Sequence, residues 1–158
     1  KIHRNFINNW IRKQSKTIND LLKLEAVLKV HDSESIREFG NKLNNIKTEL
    51  LKLVKNFKTR GKKIAGYGAS VGVTTVLYNF GLSKELLDFI VDDNISRQNL
   101  YSPGLHIPTL SPKELIEQKI DYAIILAWQY AEPIIKKNRA YLNRGGHFIK
   151  FLPNIEII

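Results

Sequence analysis

A chain of 158 residues has room for one domain with its own core and a helical appendage. It holds no cysteine, which excludes disulfides and thiolate metal sites, and its four histidines, His3, His31, His106 and His147, lack the close spacing of a zinc pair. The net charge of +10 lies entirely in residues 1–63, where 16 Lys and Arg face 6 Asp and Glu, while residues 64–158 are balanced. Such a basic stretch can bind phosphates by counterion release. No nucleic-acid-binding motif accompanies it, so a solvated helix face is the expected reading and nucleic acid is not an expected partner. No apolar run reaches the ~20 residues a membrane helix needs, and no signal peptide opens the chain, so a cytoplasmic protein with no membrane partner is expected. Methionine is absent even at position 1, so a fragment of a longer protein or a processed piece is expected.

Residues 1–30 have a helical pattern, with Ile7, Trp10, Ile18, Leu21, Leu22 and Leu28 recurring at helical spacing between lysines. Ser35-Ile36-Arg37-Glu38 then reads as a capping box. From there Ile36, Phe39, Leu43, Ile46, Leu50, Leu53 and Phe57 alternate by three and four, a heptad seam. The expected partner of that seam is the preceding helix, in an antiparallel hairpin over residues 1–60. A helix of another chain or domain is the competing partner.

After a glycine stop at Gly61, strands and helices alternate. The expected order is a strand over Ile64–Tyr67, a helix over Val71–Phe80 closed by Gly81, and a strand over Leu86–Val91. An irregular loop runs from Ile95 to Leu110, and a helix starts at Ser111-Pro112, with Ser as N-cap and Pro at the first position. A third strand spans Asp121–Trp128, a helix Ala131–Leu142, and a last strand His147–Leu152. Tyr122–Ala127 is apolar without alternation, as a central strand covered on both faces would be. Residues 61–158 thus read as βαβαβαβ: an α/β domain with a small parallel sheet, flanking helices and right-handed crossovers, preceded by the basic hairpin.

In such a sheet, ligands bind beyond the carboxyl ends of the strands. The first end gives Gly66-Tyr67-Gly68-Ala69-Ser70, and the helix after it would turn its free N–H groups towards a phosphate or carboxylate. Glycines 66, 68 and 72 are spaced one residue wider than the dinucleotide fingerprint, which by itself fits a tight βα turn equally well. The second end gives Asp92-Asp93-Asn94. Asp92 lies where a Rossmann acid would meet a ribose hydroxyl, although Asp92 and Asn94 could equally cap the turn. Arg97 is the candidate phosphate clamp. The third end gives Trp128-Gln129-Tyr130, an aromatic–amide–aromatic triplet suited to a planar base or sugar face, with core packing of Trp128 as the alternative. His106 is the one histidine in a binding loop, able to donate to a phosphate or act as a base, yet spacing names no partner for it.

Five stretches carry a resemblance: Gly66–Ser70, Asp92–Asn94, Ser102-Pro103-Gly104-Leu105-His106-Ile107-Pro108, Ala127–Tyr130 and Arg144-Gly145-Gly146-His147-Phe148. In order and spacing, from about residue 60 to the end, they resemble the C-terminal domain of S-adenosylmethionine-dependent sugar C-methyltransferases. The resemblance implies a Rossmann-like fold for residues 61–158 within a transferase of three parts. A zinc-binding N-terminal domain and a central domain holding S-adenosylmethionine would lie outside this chain, which would itself bind no cofactor and no metal. The domain would help bind a nucleotide-linked sugar methylated at carbon, and the chain alone would not be catalytic. The substrate-binding residues on this reading are Tyr67, Gly68, Ala69, Ser70, Asp92, Asn94, Arg97, His106, Trp128, Gln129 and Tyr130. Many members carry Lys-Gly-Asn where this chain has Gly72-Val73-Thr74, so a lysine that faces phosphate in that pattern is not present here. Two other readings stand beside this one: a stand-alone dinucleotide-binding module, and a non-catalytic interaction piece acting through its basic helices.

Overall fold

The computed structural model describes residues 17–158, so Ile7 and Trp10 of the first predicted helix lie outside the described residues. Residues 17–27 are helical (α1), and α2 spans Ser33–Thr59. The second helix begins earlier than the capping box suggests. Asp32 makes the cap instead, its carboxylate accepting from the Ser35 N–H at 3.3 Å. An acid at that place also faces the positive end of the helix dipole.

The chain divides into two compact units, with the break between Leu43 and Asn44, inside α2. In the first unit Ile18, Leu21, Leu22, Leu28, Ile36 and Phe39 are all exposed. The heptad seam therefore does not continue as one stripe. Beyond Asn44 its buried side is Ile46, Leu50, Val54 and Phe57, which drifts off the predicted Leu53 position by one residue. That drift is what an ordinary 3.6-residue period produces when a helix lies on a sheet, where no supercoil holds it to 3.5. The Phe57 ring stacks on Tyr122 at 3.9 Å, and Lys58 pairs with Asp88 at 3.0 Å. So the partner of this half of the seam is the sheet.

Six strands form that sheet: β1 (Ile64–Tyr67), β2 (Phe89–Val91), β3 (Thr109–Leu110), β4 (Tyr122–Ile125), β5 (His147–Lys150) and β6 (Glu156–Ile157). Their order is β3-β2-β1-β4-β5-β6, all parallel except the β5–β6 pair. The predicted α/β class and parallel sheet are present, and two short strands are added to them. Both are two residues long, too brief to show a period in sequence. Chain order reverses between β1 and β4, which opens a crevice at their carboxyl ends.

Helices cover the sheet on both faces. Ala65, Tyr67, Val91, Ala123, Ile125 and Phe148 pack against Leu115, Ala131, Ile134 and Tyr141 of α4 (Glu114–Glu117), α5 (Ala131–Lys137) and α6 (Arg139–Asn143). Alternate residues face α2 and α3 (Val71–Phe80), as the stacking of Phe57 on Tyr122 shows. Burial on both sides explains why β1, β2 and β4 read as continuous apolar runs. At the amino edge, two carboxylates catch the chain entering β1. Asp121 accepts from the Lys63 N–H and pairs with Lys62, while Asp88 accepts from the Ile64 N–H.

Two predicted helices are shorter than expected. The one at Ser111-Pro112 is a single turn, and Ala131–Leu142 breaks into α5 and α6 at Asn138. The third strand also ends early. Leu126 and Ala127 both donate their N–H to the Tyr67 carbonyl, at 2.9 and 3.1 Å, which stops the ladder. Trp128-Gln129-Tyr130 then forms a 3-10 turn (η2) rather than the tail of a strand.

Candidate functional site

The glycine turn is built around Gly68. Its φ of +102° is one that L side chains rarely adopt, and a Cβ there would lie 2.5 Å from the Cβ of Ala127. The close passage of β1 and β4 thus requires glycine at this position. Gly72 is different: a Cβ would meet nothing within 4 Å, so the third glycine serves no close approach among the described residues.

Asp92, nearly buried at 5 % exposure, holds this turn in place. Its Oδ2 accepts from the Ala69 N–H at 2.6 Å and from the Arg97 guanidinium at 3.3 Å, and its Oδ1 accepts from the Asn94 N–H at 2.8 Å. Both carboxylate oxygens are therefore engaged within the chain. A buried carboxylate with several donors is what makes such a charge tolerable away from water. Asn94 turns its side chain to Ser96, accepting from the N–H at 3.0 Å, and caps a 3-10 turn over Ile95–Arg97.

A cavity of about 270 Å³ opens beyond the ends of β1, β2 and β4. Tyr67, Gly68 and Ser70 line one side, and Ala127, Tyr130, Pro133 and Ile134 the other. Its charged groups are Asp92, Asp93, Arg97 and Lys137. The Tyr67 hydroxyl donates to Asp93 Oδ2 at 3.1 Å and accepts from Asn138 Nδ2 at 3.0 Å. Burial is the main cause pushing this phenol above its ordinary range, and the charges of Asp93 and Asp92 add to it against the opposing bond from Asn138. Tyr67 thus stays protonated at neutral pH and orients Asp93. The other oxygen of Asp93 pairs with Lys137 at 2.5 Å. One cation stands at each side of the opening: Arg97 after β2, Lys137 at the end of α5.

Of the residues singled out from sequence, Tyr67, Gly68, Ser70, Asp92, Arg97 and Tyr130 meet at this cavity. Ala69 does not line it: its N–H is bound to Asp92, and the residue lines a second cavity of about 210 Å³. Asn94, His106, Trp128 and Gln129 line neither. His106 sits, exposed and with φ of +51°, in a turn closed by bonds between Ser102 and Ile107. Trp128 is 42 % exposed, so core packing does not describe it either. Asp93, Pro133, Ile134, Lys137 and Asn138 were not among the expected residues. The spacing Tyr130–Pro133/Ile134–Lys137 is one helix face running up from the strand end, so the period groups these residues with Tyr130, while only the fold brings that face, Asp93 and Asn138 to the cavity. Among the described residues no three His, Asp or Glu side chains gather as a metal site, and no helix is long and apolar enough to cross a membrane.

A mostly parallel sheet in doubly wound order, with a polar-rimmed cavity where that order reverses, defines a Rossmann-like α/β domain. The chain belongs to the C-methyltransferase C-terminal domain family, which it matches over residues 4–153. It is 33% identical over 122 residues to the C-methyltransferase NovU of Streptomyces niveus, an alignment that takes in 77% of this chain and 29% of that protein. The chain therefore spans less than a third of the relative's length. Among solved structures it is similar to UDP-D-quinovosamine 4-dehydrogenase from Vibrio fischeri, at 20% identity and a TM-score of 0.41, over 59% of this chain and 79% of that one.

Proposed function

We propose that this chain is the substrate domain of a larger S-adenosylmethionine-dependent sugar C-methyltransferase, and that its cavity receives a nucleotide-linked sugar. The observation that carries the reading is the pair of cations, Arg97 and Lys137, flanking a largely apolar cavity at the switch point of the sheet. Arg97 suits the diphosphate, and Lys137 and Asp93 can meet sugar hydroxyls. Lys137 also offers what Gly72-Val73-Thr74 does not, a lysine within reach of the ligand. On this reading the methyl donor belongs to another domain, and this one supplies binding and orientation.

Chemistry on the sugar is assigned elsewhere as well. Tyr67 is held between Asp93 and Asn138, and both oxygens of Asp92 accept hydrogen bonds within the chain, so the two groups serve the turn and the rim. The contributing residues are Tyr67, Gly68, Ser70, Arg97 and Tyr130 of the expected set, joined by Asp93 and Lys137. A thermal-shift titration tests this, since a ligand that binds only the folded state stabilises it by about 2.7 kcal/mol at roughly a hundredfold excess over Kd. UDP-glucose or dTDP-glucose should raise the melting midpoint, Arg97→Ala should shrink the rise, and His106→Ala should leave it unchanged. No rise with any nucleotide sugar would reject the reading.

A further inference from the structure

The second cavity lies on the other side of the glycine turn and shares two of its lining residues, Ser70 and Arg97, with the first. The two differ in chemistry. The first carries Asp93 and Lys137 as well as Arg97, whereas the second has no carboxylate and no cation but Arg97. Its floor is apolar and buried, formed by Val73, Leu77 and Ile90, and the Tyr101 ring stands 66% exposed at its edge. Thr74, Ser102 and Thr109 add hydroxyls around that floor.

We infer that the two cavities are the halves of one bipartite site divided by Ser70 and Arg97, in which the base of the nucleotide occupies the Tyr101 side and the sugar the Asp93–Lys137 side. The inference rests on the nucleotide-sugar reading above and adds to it which half takes which group. A base needs an apolar slot and an aromatic face, with a few neutral polar atoms for its edge. The Tyr101 side provides these and keeps carboxylates away from the base. A sugar offers hydroxyl donors and acceptors, which the Asp93 carboxylate and the Lys137 ammonium can meet. The diphosphate between them falls at Arg97, the one cation common to both cavities. Arg97 is 42% exposed along its side chain and spends one contact on Asp92, so it keeps donors for a phosphate.

Ligand fragments separate the halves. The chain is titrated with UDP-glucose, UDP and glucose 1-phosphate, with affinities read by calorimetry or ligand-observed NMR for the wild type, Tyr101→Ala and Lys137→Ala. Both substituted side chains are exposed, so folding is retained, and circular dichroism checks it. Tyr101→Ala should weaken UDP about tenfold, the scale of losing one base–aromatic stack, and leave glucose 1-phosphate unchanged. Lys137→Ala should weaken glucose 1-phosphate and leave UDP within about twofold, since the first loses a charged partner and the second does not. If UDP-glucose binds but both variants weaken both fragments alike, or neither weakens any, the division is wrong while the nucleotide-sugar reading stands. The reverse pattern, with Tyr101→Ala acting on glucose 1-phosphate, would overturn the assignment of the halves. If the wild type binds none of the three, both readings fall.

Discussion

At the scale of single residues, the site depends on which polar atoms are already committed. Asp92 resembles a ribose-binding acid by its distance from the glycines, yet the structure gives its oxygens to Ala69, Asn94 and Arg97. The neighbouring Asp93 is held by Tyr67 and Lys137, both at the cavity. Sequence alone does not separate two adjacent aspartates, because a hydrogen-bond partner some two dozen or more positions away decides their roles. The glycines were half legible for a similar reason. All three look alike in a motif, but only Gly68 combines a left-handed φ with a backbone neighbour. Gly68→Ala should therefore cost about 3 kcal/mol or more, since a strained backbone and an overpacked contact combine there. Gly72→Ala, in the first turn of an exposed helix start, should be neutral or add about 0.5–1 kcal/mol of stability. Urea denaturation of both variants gives the comparison. Equal losses would mean that the turn is not held as described.

At the scale of elements, the strands and helices of residues 61–158 were legible because burial on both faces leaves long apolar runs, with glycines and prolines between them. The segment where the reading departed most is α2. A three-four alternation satisfies both a coiled-coil seam and a helix lying on a sheet, and the choice between them rests on a partner distant in sequence. Leu50 is fully buried and Phe39 is 63% exposed, though both stand on the same predicted seam. Leu50→Ala should cost about 2–5 kcal/mol. Phe39→Ser should move stability by no more than about 0.5 kcal/mol. Comparable losses at the two positions, by thermal or urea unfolding, would restore the continuous seam.

The entry into β1 adds a pH dependence at this same scale. Burial raises the Asp121 pKa, but bonds from Lys62 and from the Lys63 N–H outweigh it and hold the carboxyl below its usual range. A carboxyl depressed in the folded state lends stability that is present above its unfolded pKa of about 3.9 and lost as the pH falls towards the folded value. Asp121→Asn should thus lower stability by about 1 kcal/mol at pH 7 and by less as the pH drops below about 4. Unfolding midpoints across pH 3–7 check this, and a loss independent of pH would show that the charge at Asp121 is not what matters.

At the scale of the whole molecule, the sheet order β3-β2-β1-β4-β5-β6 brings three strand ends, far apart in sequence, to one cavity. The expectation that ligand contacts gather at those ends needed only the alternation of strands and helices. What it missed is the helix behind them. Lys137 and Asn138 lie at the far end of α5, and only the fold shows that this end returns to the rim. Trp128 illustrates the converse. In sequence it reads as the end of a strand, but the Tyr67 carbonyl draws in both Leu126 and Ala127 and turns the chain outward before it.

Backbone NMR of the chain titrated with UDP-glucose tests most directly whether the carboxyl edge of the sheet receives a nucleotide-linked sugar. Saturable amide shifts are expected, concentrated in Tyr67–Ser70, Asp92–Arg97 and Tyr130–Asn138. Saturable shifts gathered instead at the amino edge, around Lys119, Asp121 and Arg144, would contradict it, as would a spectrum that does not change.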